Sequence, residues 1–305
     1  MLNYAIRRLA TIPLSLVIVL GTIFAVLRLT GDPVEIYLGI YHTPEQVVLL
    51  RAQLHLNDPL PVQFGYYLLD VLHGNFGRSL QFSAPAMDIV LQRLAMTGEL
   101  MLAALVLALS AGVLAGLAAA VWRDTLADFV ISGAAVALQS MPSFWLGILL
   151  VQFFALGLHW LPTSGTGGVS HLVLPALTLA AFVMPNFILI TRTSMLETMG
   201  ELFVTAARAK GISRARMLFG HVLPNSINPI ISFLGLQVGR LVGGSIITET
   251  IFAWPGVGRL LIGSIYQRDV PVVIAGVFLI SIIVIVANLA ADLALAYADP
   301  RIRLD

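Results

Sequence analysis

At 305 residues the chain is 58% hydrophobic and only 11% charged, with a mean hydropathy of +0.93, which excludes an ordinary soluble domain. A formal net charge of +1 leaves no bulk field for nucleic acid. The absence of cysteine excludes disulfides, zinc–thiolate sites and thiol nucleophiles.

Residues 9–27 are apolar and uncharged, about long enough to cross the hydrocarbon core. Arg7 and Arg8 precede them, so the amino end is expected in the cytoplasm. The run is too long for a signal peptide, and Arg28 to Pro33 offer no small-residue cleavage site, so an uncleaved first span is expected. Residues 31–95 change character, with polar and breaker residues every few positions, so nothing there can span. Thr43-Pro44-Glu45-Gln46 reads as a capping box with proline at the first helical position. Asp58-Pro59 is expected to start a second helix and His73-Gly74-Asn75 to form a turn. The reading is a small helical extracytoplasmic insert, with acids (Asp32, Glu35, Glu45, Asp58, Asp70, Asp88) in excess over bases. His42, His55 and His73 follow no metal-ligand spacing, and no metal site is expected.

The remainder, 96–305, reads as a five-helix membrane core with spans at about 96–122, 129–158, 172–191, 227–250 and 271–291. Gly112 and Gly116 in the second span form a small-xxx-small pair, the pattern of close helix packing. Pro142 is expected to kink the third span, and the fourth carries Pro175 and Pro185. Ser226 is a candidate cap of the fifth, with Pro229 in its first turn. Residues 252–270 form a short outer segment. Basic residues gather on the inward ends and loops, giving six spans with both termini in the cytoplasm.

The polar stretch 192–228 is long and basic, with Arg192, Arg208, the single lysine Lys210, Arg214 and Arg216. It reads as two short helices. The first runs from about Glu201 to Lys210, with Leu202, Ala206 and Ala209 near one face and Ala207 beside them. Gly211 stands where positive φ is needed, and Ser213 caps a second helix expected to end before Pro224.

TAARAKG followed by HVLP resembles the cytoplasmic coupling loop of bacterial ABC-importer permeases, Glu-Ala-Ala, three residues, Gly, nine residues, Ile-x-Leu-Pro. Ala206, Ala207, Gly211, Leu223 and Pro224 match in register; Thr205 stands in place of Glu and His221 in place of Ile. HGNFGRSL, PSFWLG, LPTSG, LVLPALTLA, ETIFAWPGVGRL and ADPRIR resemble the dipeptide, oligopeptide and nickel subfamily, nearest to the first of its two paired permeases. The resemblance spans nearly the whole chain. It implies an all-α polytopic membrane protein with the type I ABC-importer permease fold, in the bacterial cytoplasmic membrane. It implies as partners a paralogous permease, two cytoplasmic ATPases and an extracytoplasmic substrate-binding protein. The ATPase-coupling residues would be Thr205, Ala206, Ala207, Gly211, Leu223 and Pro224. The cargo would be a short peptide, with nickel, a nickel chelate or glutathione as alternatives within the family.

No enzymatic role is expected. The single lysine lies between Ala209 and Gly211, so no P-loop exists and ATP would be bound by partner subunits, with no cofactor on this chain. No zincin or nucleophile-elbow motif occurs, and His159, His171 and His221 all fall at or beyond span ends. A secondary ion-coupled transporter is the alternative from another class, but no internal repeat supports it. Gln237 and Arg240, midway along the fifth span, are candidates for the translocation path.

Overall fold

Backbone N–H and C=O groups in hydrocarbon must be satisfied within their own segment, which favours helices throughout. The computed structural model describes residues 2–30, 34 and 43–298; Asp32, Glu35, His42, Arg301 and Arg303 lie outside them, as do the side chains of Arg7 and Arg8. In chain order the helices are α1 (Leu2–Thr30), α2 (Pro44–Gln53), α3 (Leu60–Leu72), α4 (Ala86–Val121), α5 (Leu126–Ser140), α6 (Ser143–Leu150) and α7 (Val169–Met199). They continue with α8 (Leu202–Ala209), α9 (Arg214–Met217), α10 (Leu223–Ile251), α11 (Val257–Tyr266) and α12 (Val270–Ala298). Among the described residues there is no strand, only an isolated bridge between Arg78 and Pro85. Four helices, α1, α4, α7 and α12, are each long and apolar enough to cross a membrane, and counting two bent helix pairs as one span each gives six.

The third span is broken where a kink was expected. Helix α5 stops at Ser140, Met141 and Pro142 are extended, and α6 leaves at 106°. Proline lacks the N–H that would continue the ladder, and it pushes the preceding residue out of the α region; Met141 has ψ 132°. A π-helical turn, Val151–Gly157, completes the span. The start of the fifth span also differs. The second loop helix does not end before Pro224: α9 passes through a π turn, Leu218–Val222, into α10. Pro224, not Pro229, occupies the first turn of α10, at its junction with the π turn, and Pro229 lies inside the helix. Ser226 is likewise within α10, its hydroxyl donating to the Leu223 carbonyl at 3.0 Å.

The chain divides into two compact units. The larger comprises Ala95–Arg259 with Val286–Asp305. Its core joins Leu100, Ala104 and Ala108 of α4 to Leu179, Val183 and Phe187 of α7 and Leu241 of α10. Gly112 and Gly116 do what their spacing implies: a Cβ on Gly116 would stand 2.5 Å from the Ile188 carbonyl oxygen, and one on Gly112 2.7 Å from the Phe187 Cβ. Only glycine lets α4 and α7 approach so closely.

The smaller unit comprises Leu2–Leu94 with Leu260–Ile285. Its α2 carries the expected capping box, Thr43 Oγ1 accepting from the Gln46 N–H and Gln46 Oε1 from the Thr43 N–H. Helix α3 packs on α1, with Phe24 5.4 Å from the Phe64 ring and 5.7 Å from the Tyr67 ring. The buried Asp269 holds the turn at 79–82, accepting from the Ser79 hydroxyl and, at 3.4 Å each, from the Leu80 and Gln81 N–H groups.

Candidate functional site

The loop at 192–228 is built on a small apolar cluster. Val204 and Ala207 of α8 turn inward and pack with Ala120, Met195, Met217, Leu218 and Val222, with Leu223 against its edge. Ala207, expected beside the small-residue face, is therefore on the opposite side, because it follows Val204 by one turn. The outward face carries Leu202, Ala206 and Ala209 as expected, together with Thr205 and Phe203. Leu202 is 85% exposed and Phe219, in the following π turn, 60%. An apolar face of this kind at the rim of a protein marks an interaction surface. Gly211 takes φ +76°, and nothing lies within 4 Å of where its Cβ would stand, so the demand there is conformational and not one of space. Ser213 occupies the N-cap position of α9, but its side chain makes no capping bond.

Two anchors hold this loop to the spans. Arg214 donates to the Val121 carbonyl at 3.0 Å, at the end of α4. Arg192, at the root of the loop, makes a bidentate pair with the buried Asp128 of α5, at 2.6 and 2.7 Å. Asp128 also accepts from the Asp124 N–H and the Ser132 hydroxyl, both at 3.1 Å. Fork-to-fork geometry with every carboxylate oxygen engaged makes a rigid tie. Removing Arg192 would leave the Asp128 carboxylate without its cation, which is destabilising, whereas the half-buried Arg192 could turn to water if Asp128 were lost.

The two path candidates diverge. Arg240 is exposed and lines a cavity of about 300 Å3 at the corner between α5 and α6, shared with Gln139, Pro142, Ser143 and Phe182. Its guanidinium carbon stands 5.2 Å from the Phe182 ring centroid. Gln237 is instead buried on the stripe with Leu241, and neither atom of its amide has a partner. Three residues apart, and so about 60° round the helix, Gln237 falls within the packed stripe of α10 and Arg240 just outside it.

Beyond Arg240, near the end of α10, lies a further ionisable group. Glu249 is fully buried, accepting from the Thr97 hydroxyl at 2.7 Å and from the Arg259 N–H, in the first turn of α11, at 3.0 Å. Thr97 in turn accepts from the Val257 N–H at 2.8 Å. A Cβ on Gly256 would lie 2.3 Å from the Glu249 carboxyl carbon, which explains the glycine beside the acid in ETIFAWPGVGRL. A carboxyl group at a helix N-terminus satisfies orphan donors and complements the helix dipole. The available signal was an acid inside an apolar run followed by closely spaced glycines.

A fold of six apolar spans with an exposed, apolar-faced loop agrees with the comparisons. The family described as "Binding-protein-dependent transport system inner membrane component" matches residues 112–304, and its N-terminal companion matches 1–110. The chain belongs to this family. The glutathione transport system permease protein GsiC of Salmonella choleraesuis (strain SC-B67) is 40% identical to it over 304 residues, covering 99% of both chains. That of Escherichia coli (strain K12) is 39% identical over the same length and coverage. The inward-facing MetNI methionine ABC transporter shares the fold, with a TM-score of 0.58 at 17% identity over 70% of this chain and 97% of that one. The permease is thus a multi-pass inner-membrane subunit of an ABC importer, with the type I fold expected from its motifs.

Proposed function

We propose that the permease forms half of a translocation pathway with a paralogous permease. Two cytoplasmic ATPases supply the energy, and an extracytoplasmic binding protein delivers the cargo. The permease itself catalyses nothing and binds no cofactor; ATP stays with the partner subunits. Its termini and the loop at 192–228 face the cytoplasm, and the insert at 31–95 faces outward. The observation that carries this reading is the outward face of α8, where Leu202 and Ala206 are exposed while Val204 and Ala207 seat the helix on its own cluster. A helix held from behind with small and apolar residues in front is suited to receive another subunit. The buried tie between Arg192 and Asp128 then passes its movement to α5 and α7.

The cargo is a short peptide. Glutathione, named for both relatives, is a peptide of this class with two carboxylates, and Arg240 offers a cation in the cavity at the α5–α6 corner. Gln237 belongs to the same pathway in a second sense. A buried amide without partners is costly, and separation of α10 from α7 during transport would give it water.

Replacing Leu202 and Ala206 by glutamate tests the docking role, because both side chains point away from the permease core. In the reconstituted transporter, uptake and substrate-stimulated ATP hydrolysis are expected to fall together by at least tenfold while the permease still reaches the membrane. Uptake at the unsubstituted rate would remove the loop from the coupling mechanism.

A further inference from the structure

Helix α3 is apolar on both faces. One face, with Phe64, Tyr67 and Val71, turns inward, and Phe64 lies 3.7 Å from the place a Cβ on Gly21 of α1 would occupy. The opposite face presents Val62, Leu69 and Leu72, all exposed, Leu72 by 80%, together with Tyr66, whose ring is stacked on that of His55 at 3.9 Å. These positions follow one another at helical spacing, and the helix carries a single charge, Asp70, beside them. A helix that is apolar all round belongs in a protein core or in a membrane.

Helix α1 says which. Its apolar window runs over Ile12–Leu29, so Phe24 stands five residues, about 7.5 Å, inside the end of that window and Gly21 about 12 Å inside. Side chains packed on Gly21 and Phe24 are held at the depth of lipid. Arg28 draws its guanidinium to 5.1 Å from the Phe24 ring, as a long basic side chain does near the headgroup boundary. Thirteen residues cover about 20 Å, too short for a hydrocarbon core of about 30 Å, and their backbone bonds close within the helix.

We propose that α3 is a membrane-embedded interfacial helix beside the first span, with its Val62, Leu69 and Leu72 side chains covered by lipid acyl chains and Tyr66, under the His55 ring, at the edge of that face. The insert is thereby pinned to the bilayer at its middle and does not stand free in the aqueous phase. This rests on α1 being a membrane span and on no assumption about cargo or coupling.

Since the chain has no cysteine, spin labels can be attached at single cysteines replacing Val62, Leu69 or Leu72. The experiment uses the assembled transporter, its other subunits made cysteine-free, in phosphatidylethanolamine–phosphatidylglycerol vesicles. Collision with oxygen, which partitions into lipid, is compared with collision with a water-soluble nickel chelate, and a label at Glu45 serves as the aqueous reference. The oxygen-to-nickel ratio at all three positions is expected to exceed the Glu45 ratio severalfold. A ratio equal to that at Glu45 overturns the proposal. So does a nickel-accessible label that becomes shielded only when binding protein is added, since the face would then belong to that protein. An unsubstituted transporter exposed to a lipid carrying an acyl-chain diazirine provides a second reading: adducts are expected within 60–72, and their absence while α1 is labelled overturns the proposal equally.

Discussion

Arg240 occupies the position where a cation is hardest to keep. Midway along a span it costs about 2.5–3.5 kcal/mol on insertion scales. The Phe182 ring beneath it returns about 0.5–2 kcal/mol, which leaves a deficit for water, cargo or another charge to cover. Glu249 does not cover it, being committed to Thr97 and the start of α11. If the cavity admits a peptide carboxylate, Arg240→Gln should reduce uptake of a free-acid peptide at least severalfold and leave uptake of its C-terminal amide nearly unchanged. Equal losses for both, or poor assembly, would assign Arg240 to an acidic residue on the partner permease. The arginine itself was legible in the sequence. The aromatic ring below it was not, because 58 residues of chain separate Phe182 from Arg240 and no local pattern joins them.

Among the elements, the seam between α4 and α7 tolerates change least. A leucine at Gly116 would have to drive its Cβ away from the backbone oxygen of Ile188, and neither helix backbone can yield at 2.5 Å without separating. Gly116→Leu is therefore expected to abolish stable assembly, seen as loss of the purified complex on size-exclusion chromatography; a normal yield would show that the two helices can part. Small-residue spacing alone pointed to this seam, since the signal is local. The same holds for α8, whose length and exposed face follow from Gly211 and the positions of Leu202, Ala206 and Ala209. The break at Pro142 was underestimated. Proline marks a disturbance, but whether a helix bends or stops depends on what surrounds it, and here the corner encloses a cavity. The tie between Asp128 and Arg192 was hidden for another reason. Charges near span ends are readily counted as orientation signals, while a pairing across 64 residues depends on how the helices dock.

For the molecule as a whole, orientation is the property most directly tested. From the arginine distribution the loop at 192–228 is expected inside and the insert outside. A cysteine replacing Glu45 should react with an impermeant maleimide in cells with a permeabilised outer envelope, and one replacing Ala206 should react only after the inner membrane is opened. The reverse pattern would invert the topology. The helical membrane fold and the family were legible because apolar runs and motif spacing are continuous in the chain. The division into two units was not, since the smaller one joins Leu2–Leu94 to Leu260–Ile285.

That discontinuity has a temporal side. The turn at 79–82 relies on Asp269, 190 residues further along the chain than Ser79. During synthesis the amino-terminal quarter must therefore be threaded into the bilayer and wait, its turn unanchored, until nearly the whole polypeptide has emerged. Final closure of the smaller unit is a late event, so a chain that stops short of α12 leaves its own beginning unfinished.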